Sequence, residues 1–232
     1  MKLPQIHRTA DFQTFIVSSG GLRVTDPCYD MATWCAGQLE NVMDGIWQAH
    51  VGYHKDSLDT EMNAKWIAQE EERLNELAAR LGEDFTRFER HRLQQRREAA
   101  EAHPGRVAYL HIVNIGVQQH FDHLAELDST WEDSGIHVGV DSGQAGFFDL
   151  GEFRALCDDQ ALKEKFYDQV CDLTLADASW GVHPSGAVSS SGYGDGGYEC
   201  LVRRVDGLVV EAIIVYISEY EEEDDEDEAV AT

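Results

Sequence analysis

Alternating apolar and polar positions, the period of a strand with one buried face, run through most of this chain. Thr14-Phe15-Ile16-Val17 reads as a short strand, Ser18-Ser19-Gly20-Gly21 turns it, and Leu22-Arg23-Val24-Thr25 alternates as a second. The second strand ends at Asp26-Pro27, where proline removes a ladder donor and turn chemistry takes over. Gln38 to Val42 and Ile46 to Tyr53 predict a hairpin about Asp44-Gly45. Further strands are predicted at Arg106–Val113, at Ile136–Val140 and, after Asp141-Ser142-Gly143-Gln144-Ala145-Gly146, at Phe147-Phe148-Asp149. The strongest hairpin signal is Asp206-Gly207, set between Glu199–Val205 and Leu208–Ile217. Just before it lies Ser189-Ser190-Ser191-Gly192-Tyr193-Gly194-Asp195-Gly196-Gly197-Tyr198, too glycine-rich for a helix. This stretch feeds a strand pair expected in the middle of a sheet.

The period changes near Leu58. From Thr60 to Ala102 there is no proline and only one glycine, and helix formers dominate. Leu74, Leu77, Ala78, Leu81, Phe85 and Phe88 recur at helical steps, and Gly82 divides the segment into two helices. This helical arm is expected either to lay its stripe on its own sheet or to form a homodimer contact. Leu162, Phe166, Val170 and Leu173 predict another amphipathic helix, and Phe121 to Leu127 a short one. The expected fold is α+β: a β-rich antiparallel sandwich or partly open barrel. Residues 1–218 form one domain with the helical insertion at 60–102, and 219–232 form a disordered acidic tail.

Composition narrows the setting. The hydrophobic fraction of 43% over 232 residues can supply a sizeable core. No apolar run reaches the roughly 18 residues of a membrane span, and the N-terminus lacks a signal-peptide core. Five scattered cysteines point to reduced thiols and a cytoplasmic location. The net charge is -26; without the nine acids between Glu219 and Glu228 the rest still carries -17. Such a field repels phosphate backbones, which argues against nucleic-acid partners, although an acidic nucleic-acid mimic would share this balance.

Three segments carry a resemblance: Thr25-Asp26-Pro27-Cys28-Tyr29, Val140-Asp141-Ser142-Gly143-Gln144, and Ser191-Gly192-Tyr193-Gly194-Asp195-Gly196. The set resembles an uncharacterised group of bacterial and phage proteins that share these turns. The resemblance spans both ends of the body and skips the arm. It implies a shared β-fold and a mobile-element origin, with no activity attached.

The same turns supply the candidate chemistry. Asp26, Asp141 and Asp195 each follow an apolar strand, so three carboxylates converging at one sheet end would hold a divalent cation such as magnesium or calcium. Each would otherwise accept backbone N–H groups in an Asx turn. With Ser142 and Tyr193 the three aspartates make the candidate ligand-binding set. His120 and His123 would share a helical face with Asp128 nearby, whereas His50 and His54 lie roughly 12 Å apart along a strand. Cys28 is a candidate nucleophile or a small buried hydrophobe. No Gly-x-Ser-x-Gly elbow, phosphate loop or His-Glu-x-x-His motif occurs. The expected function is a non-enzymatic accessory protein binding a small ligand or a protein. The alternatives are a metal-dependent hydrolase using Asp26, Asp141 and Asp195, and an acidic mimic that occupies a nucleic-acid-binding protein.

Overall fold

The computed structural model describes residues 1–102, 104–117 and 127–219. Its strands are β1 (Arg8–Thr9), β2 (Gln13–Val17), β3 (Gly21–Thr25), β4 (Gly37–Glu40), β5 (Gly45–His54), β6 (Arg106–Asn114), β7 (Glu132–Val140), β8 (Gln144–Asp149), β9 (Trp180–His183), β10 (Gly186–Ser190), β11 (Gly196–Val205) and β12 (Leu208–Val215). The α-helices are α1 (Ser57–Leu81), α2 (Arg87–Ala102), α3 (Leu150–Asp158) and α4 (Gln160–Leu175), with a 3-10 turn at Glu83–Phe85.

Two antiparallel sheets face each other without closing into a barrel. In the larger one the order is β1-β5-β6-β12-β11-β7, and β2 extends the β1 edge by pairing with the first half of β5. The smaller one runs β4-β3-β8-β10-β9. Register decides which side chains meet, because laterally paired residues share a face. Ala49, Ile112, Ala212 and Val202 form one such row and point at the smaller sheet. They meet Leu22, Val24, Ala145, Phe147 and Ala187 there, all fully buried in one core.

The smaller sheet is buried on its other face as well. Phe148 and Val188 pack there against Phe153 of α3 and Phe166 and Val170 of α4. Burial on both faces explains why β3 and β8 are buried at every position and show no clean alternation. The sequence did not reveal α3, whose nine residues follow β8 directly. Asp149 starts it by accepting the Glu152 N–H at 3.0 Å. The same carboxylate accepts from Ser18 and Ser19 at 2.7 and 3.0 Å, tying the β2–β3 turn to the helix.

The arm is inserted between β5 and β6, as expected, but its stripe does not lie on a sheet. The helices α1 and α2 pack on each other and on the turn between them. Their small core is Ile67, Leu74 and Leu93, while Leu81, Phe85 and Phe88 are 50, 71 and 69% exposed at the tip. A hairpin reversed at Gly82, where φ is 95°, turns the distal half of the stripe away from the body. No helix among the described residues is long and apolar enough to cross a membrane. Glu219, the first residue of the expected tail, pairs with Lys2 at 3.1 Å. Residues 220–232 lie outside the described residues, as do His120, His123 and all but the last residue of the helix predicted at Phe121–Leu127.

Candidate binding site

β3, β8 and β10 are antiparallel neighbours, so the Asp26 turn, the Asp141-Ser142-Gly143 turn and the Ser191–Asp195 turn all fall at one end of the smaller sheet. They are joined through the backbone. The fully buried Asp26 carboxylate accepts from the Asp141 and Ser142 N–H groups at 3.0 and 2.7 Å, from the Cys28 N–H at 2.9 Å and from the Ser142 hydroxyl at 2.7 Å. The third turn joins when Ser191 donates its N–H to the Gly143 carbonyl at 3.0 Å. Asp141 thus contributes its amide to Asp26, and its own side chain and that of Asp195 are exposed.

This corrects the expected metal centre. Among the described residues no group of three or more histidines, cysteines, aspartates or glutamates is placed to hold a metal ion. Asp26, Asp141 and Asp195 do not form one because four donors already occupy the Asp26 oxygens. Asp26 and Ser142 come together as turn chemistry. Burial and the bond to Asp26 push the Cys28 thiol up to about 12, which removes the thiolate a nucleophile needs.

Tyr193 stands beside a cavity without lining it. Its hydroxyl donates to Asp56 at 2.8 Å, and the Arg106 guanidinium lies 4.8 Å from its ring centre. Asp56 and Arg106 belong to the rim of a cavity of about 760 Å³ between the base of the arm and the ends of β5 and β6. One stripe of α1, including Asn63, Ala64, Ile67, Ala68 and Glu71, forms a wall, and Arg97, Ala100 and Glu101 of α2 form another. The cavity has a local cause. Toward the tip, Ile67, Leu74 and Leu93 close the gap between the helices, whereas toward the base Ala64, Ala68 and Ala100 are too small to fill it. Arg97 is held by Glu71 at 2.6 Å, which fixes the guanidinium on the wall. Lys55, Asp56, Arg106 and Glu101 add charges of both signs to a lining whose apolar part is Ala64, Ile67, Ala68 and Ala100.

A second polar group lies on the outer face of the larger sheet. His50 on β5 is directly opposite His111 on β6, with their Nδ1 atoms 3.4 Å apart. His111 Nε2 lies 2.6 Å from Oε1 of Glu211 on β12. The other Glu211 oxygen accepts from Arg203 of β11 at 2.9 Å, and Arg203 continues to Asp128 at 3.3 Å. Trp131 covers the row, with the Arg203 guanidinium 4.6 Å from its ring centre. His50, His111 and Glu211 are all buried. Burial, and then the charge of Arg203, pushes His111 down to about 3, and burial with the neighbouring His111 does the same to His50. Burial drives Glu211 up to about 7, against the pull of Arg203. Burial on both sides of the short His111–Glu211 contact thus disfavours an imidazolium–carboxylate pair there. A trace was present in the sequence: Glu211 interrupts an otherwise apolar strand, Leu208-Val209-Val210-Glu211-Ala212-Ile213-Ile214-Val215.

No family model, curated protein or solved structure matches the chain.

Proposed function

We propose that this is a non-enzymatic binding protein that takes a small ligand in the cavity at the base of its helical arm. The observation that carries the reading is the cavity itself: about 760 Å³, with alanines on its helical walls and charges of both signs in its lining. Pockets that take small molecules have this form, an apolar enclosure with a few convergent polar groups. Of the expected ligand-binding set, Tyr193 is the member that contacts lining residues of this cavity, Asp56 and Arg106. Five free cysteines support a reducing, cytoplasmic setting. The acidic balance supports a role without nucleic acid. The test is a thermal-shift screen of small metabolites against the full chain, repeated with Ala68→Trp, which fills the cavity from an exposed helix position. A compound that raises Tm in the parent but not in the variant supports the reading. Equal responses in both proteins overturn it.

The tip of the arm favours a second role, a homodimer contact. Leu81, Phe85 and Phe88 are exposed there beside acids at Glu83 and Asp84 and bases at Arg87 and Arg92. Two-fold pairing would place each sign against its opposite around the apolar centre.

A further inference from the structure

The histidine row on the larger sheet has no part in the cavity, yet four adjacent strands each supply one of its members. Such a run of buried ionisable groups is costly unless each proton and lone pair finds a partner. Here the partners are arranged in series: His50 Nδ1 to His111 Nδ1, His111 Nε2 to Glu211, Glu211 to Arg203, and Arg203 to Asp128. His111 presents one nitrogen to His50 and the other to Glu211, so its tautomer is coupled to that of His50.

We propose that this row is a proton wire that charges and discharges Glu211 through His50, and so sets how firmly Arg203 clamps the 127–131 segment to the sheet. With Glu211 ionised, His111 carries its proton on Nε2 and donates it to the carboxylate. Its bare Nδ1 then accepts the proton of His50 Nδ1, and His50 Nε2 is bare. A proton arriving at His50 Nε2 displaces the Nδ1 proton to His111, and the His111 Nε2 proton passes to Glu211. One proton enters, one carboxylate is neutralised, and both imidazoles end neutral in the opposite tautomer.

His50 is the natural entrance, since it is 6% exposed where His111 and Glu211 are 2 and 0%. Among the described residues, the titratable and charged groups facing His50 are Tyr109 and His111; those facing Glu211 are His111, Arg203 and Asp128. While ionised, Glu211 shares Arg203 with Asp128. Once Glu211 is neutral, the Arg203 contacts to Asp128 and to the face of Trp131 no longer compete with a carboxylate at Glu211. Among the described residues Trp131 Nε1 is buried without a hydrogen-bond partner, so its N–H signal is a sensitive reporter of this change.

The test is long-range proton–nitrogen correlation spectra of the full chain labelled with nitrogen-15 histidine and tryptophan, between pH 5.5 and 8.5. In the expected result the protonated and bare nitrogens of His50 and His111 exchange places with one midpoint near 7, where Glu211 titrates. Neither ring becomes doubly protonated, and the Trp131 N–H moves with the same midpoint. Glu211→Gln should hold both rings and Trp131 in a single state across the range. Tautomers of His50 and His111 that do not change in the parent, or either of these two rings titrating to imidazolium within the range, overturn the proposal. The parent spectra decide this even if Glu211→Gln does not fold.

Discussion

Replacing Asp26 tests the central claim about the three joined turns, that they are a backbone fastening and not a cation site. The buried carboxylate accepts four hydrogen bonds, three from backbone N–H groups of two loops and one from the Ser142 hydroxyl. Hydrogen bonds to a charged group contribute about 1.5–3 kcal/mol each, and a buried donor left unpaired costs about 1–3 kcal/mol. Four donors lose their acceptor in Asp26→Ala, so a loss of at least about 4 kcal/mol is expected, a large fraction of the roughly 5–15 kcal/mol that holds a typical domain. Asp26→Asn keeps one acceptor oxygen but turns an NH₂ group toward N–H donors, and about 2–3 kcal/mol is expected. Urea denaturation followed by circular dichroism measures both. An Asn variant within about 0.5 kcal/mol of the parent would refute the fastening, since a change that small falls short of even one lost charged hydrogen bond. Calcium and magnesium provide the complementary test. At 100 times its dissociation constant a bound cation adds about 2.7 kcal/mol, whereas the geometry predicts an unchanged midpoint at millimolar concentrations.

The buried histidines predict a pH dependence of stability. Their folded pKa values lie below the ordinary 6.5, so their contribution is lost as pH falls from 6.5 toward 3, with His183 acting in the same direction. Glu211 is raised, so its contribution is present below 4.5 and lost as pH rises to about 7. Between pH 6.5 and 4.5 His50 and His111 outweigh Glu211 by one proton, and stability should fall by about 1.4 kcal/mol per pH unit as acid is added; a flat urea profile over that window would contradict the row. Leu81→Asp with Phe88→Asp should leave helix content unchanged, because both residues are exposed, and should convert any dimer to monomer in sedimentation. Loss of folding in that variant would show that the tip packs on the body. Gly52→Ala should destabilise by about 1–3 kcal/mol in thermal melts, since its Cβ would stand 2.4 Å from the Tyr109 ring in the middle of the sheet.

Much of the architecture was legible because it is written locally. The Asp206-Gly207 hairpin, the strands within Gln38–Tyr53 and the helix-forming stretch from Thr60 each act over a few residues, and each forms as its pattern implies. The hairpin expected about Asp44-Gly45 does not form: β4 pairs with β3 in the smaller sheet and β5 with β2 and β6 in the larger, so that turn carries the chain from one sheet to the other. The helix α3 was hidden because it starts on the residue after β8, with no turn residue between them except Asp149, which belongs to both. The fate of the arm's stripe was equally hidden. Periodicity shows that Leu74 through Phe88 share a face, but a reversal at Gly82 decides that half of that face meets α2 and half meets water.

The sites depended almost wholly on tertiary structure. Sequence alone placed aspartates after strands and glycines beside them, and antiparallel pairing then brought those turns to one sheet end. It could not tell whether the Asp26 carboxylate would meet cations or N–H groups, since that turns on where Ser142, over a hundred positions later, presents its amide. The cavity exists only because two helices diverge from alanines that lie more than thirty positions apart. The histidine row joins His50, His111 and Glu211 across separations of 61 and 100 residues. Local propensity determines where a strand or helix forms. Which side chains become neighbours is set by register and strand order, and these are fixed by burial of the whole core rather than by any one segment.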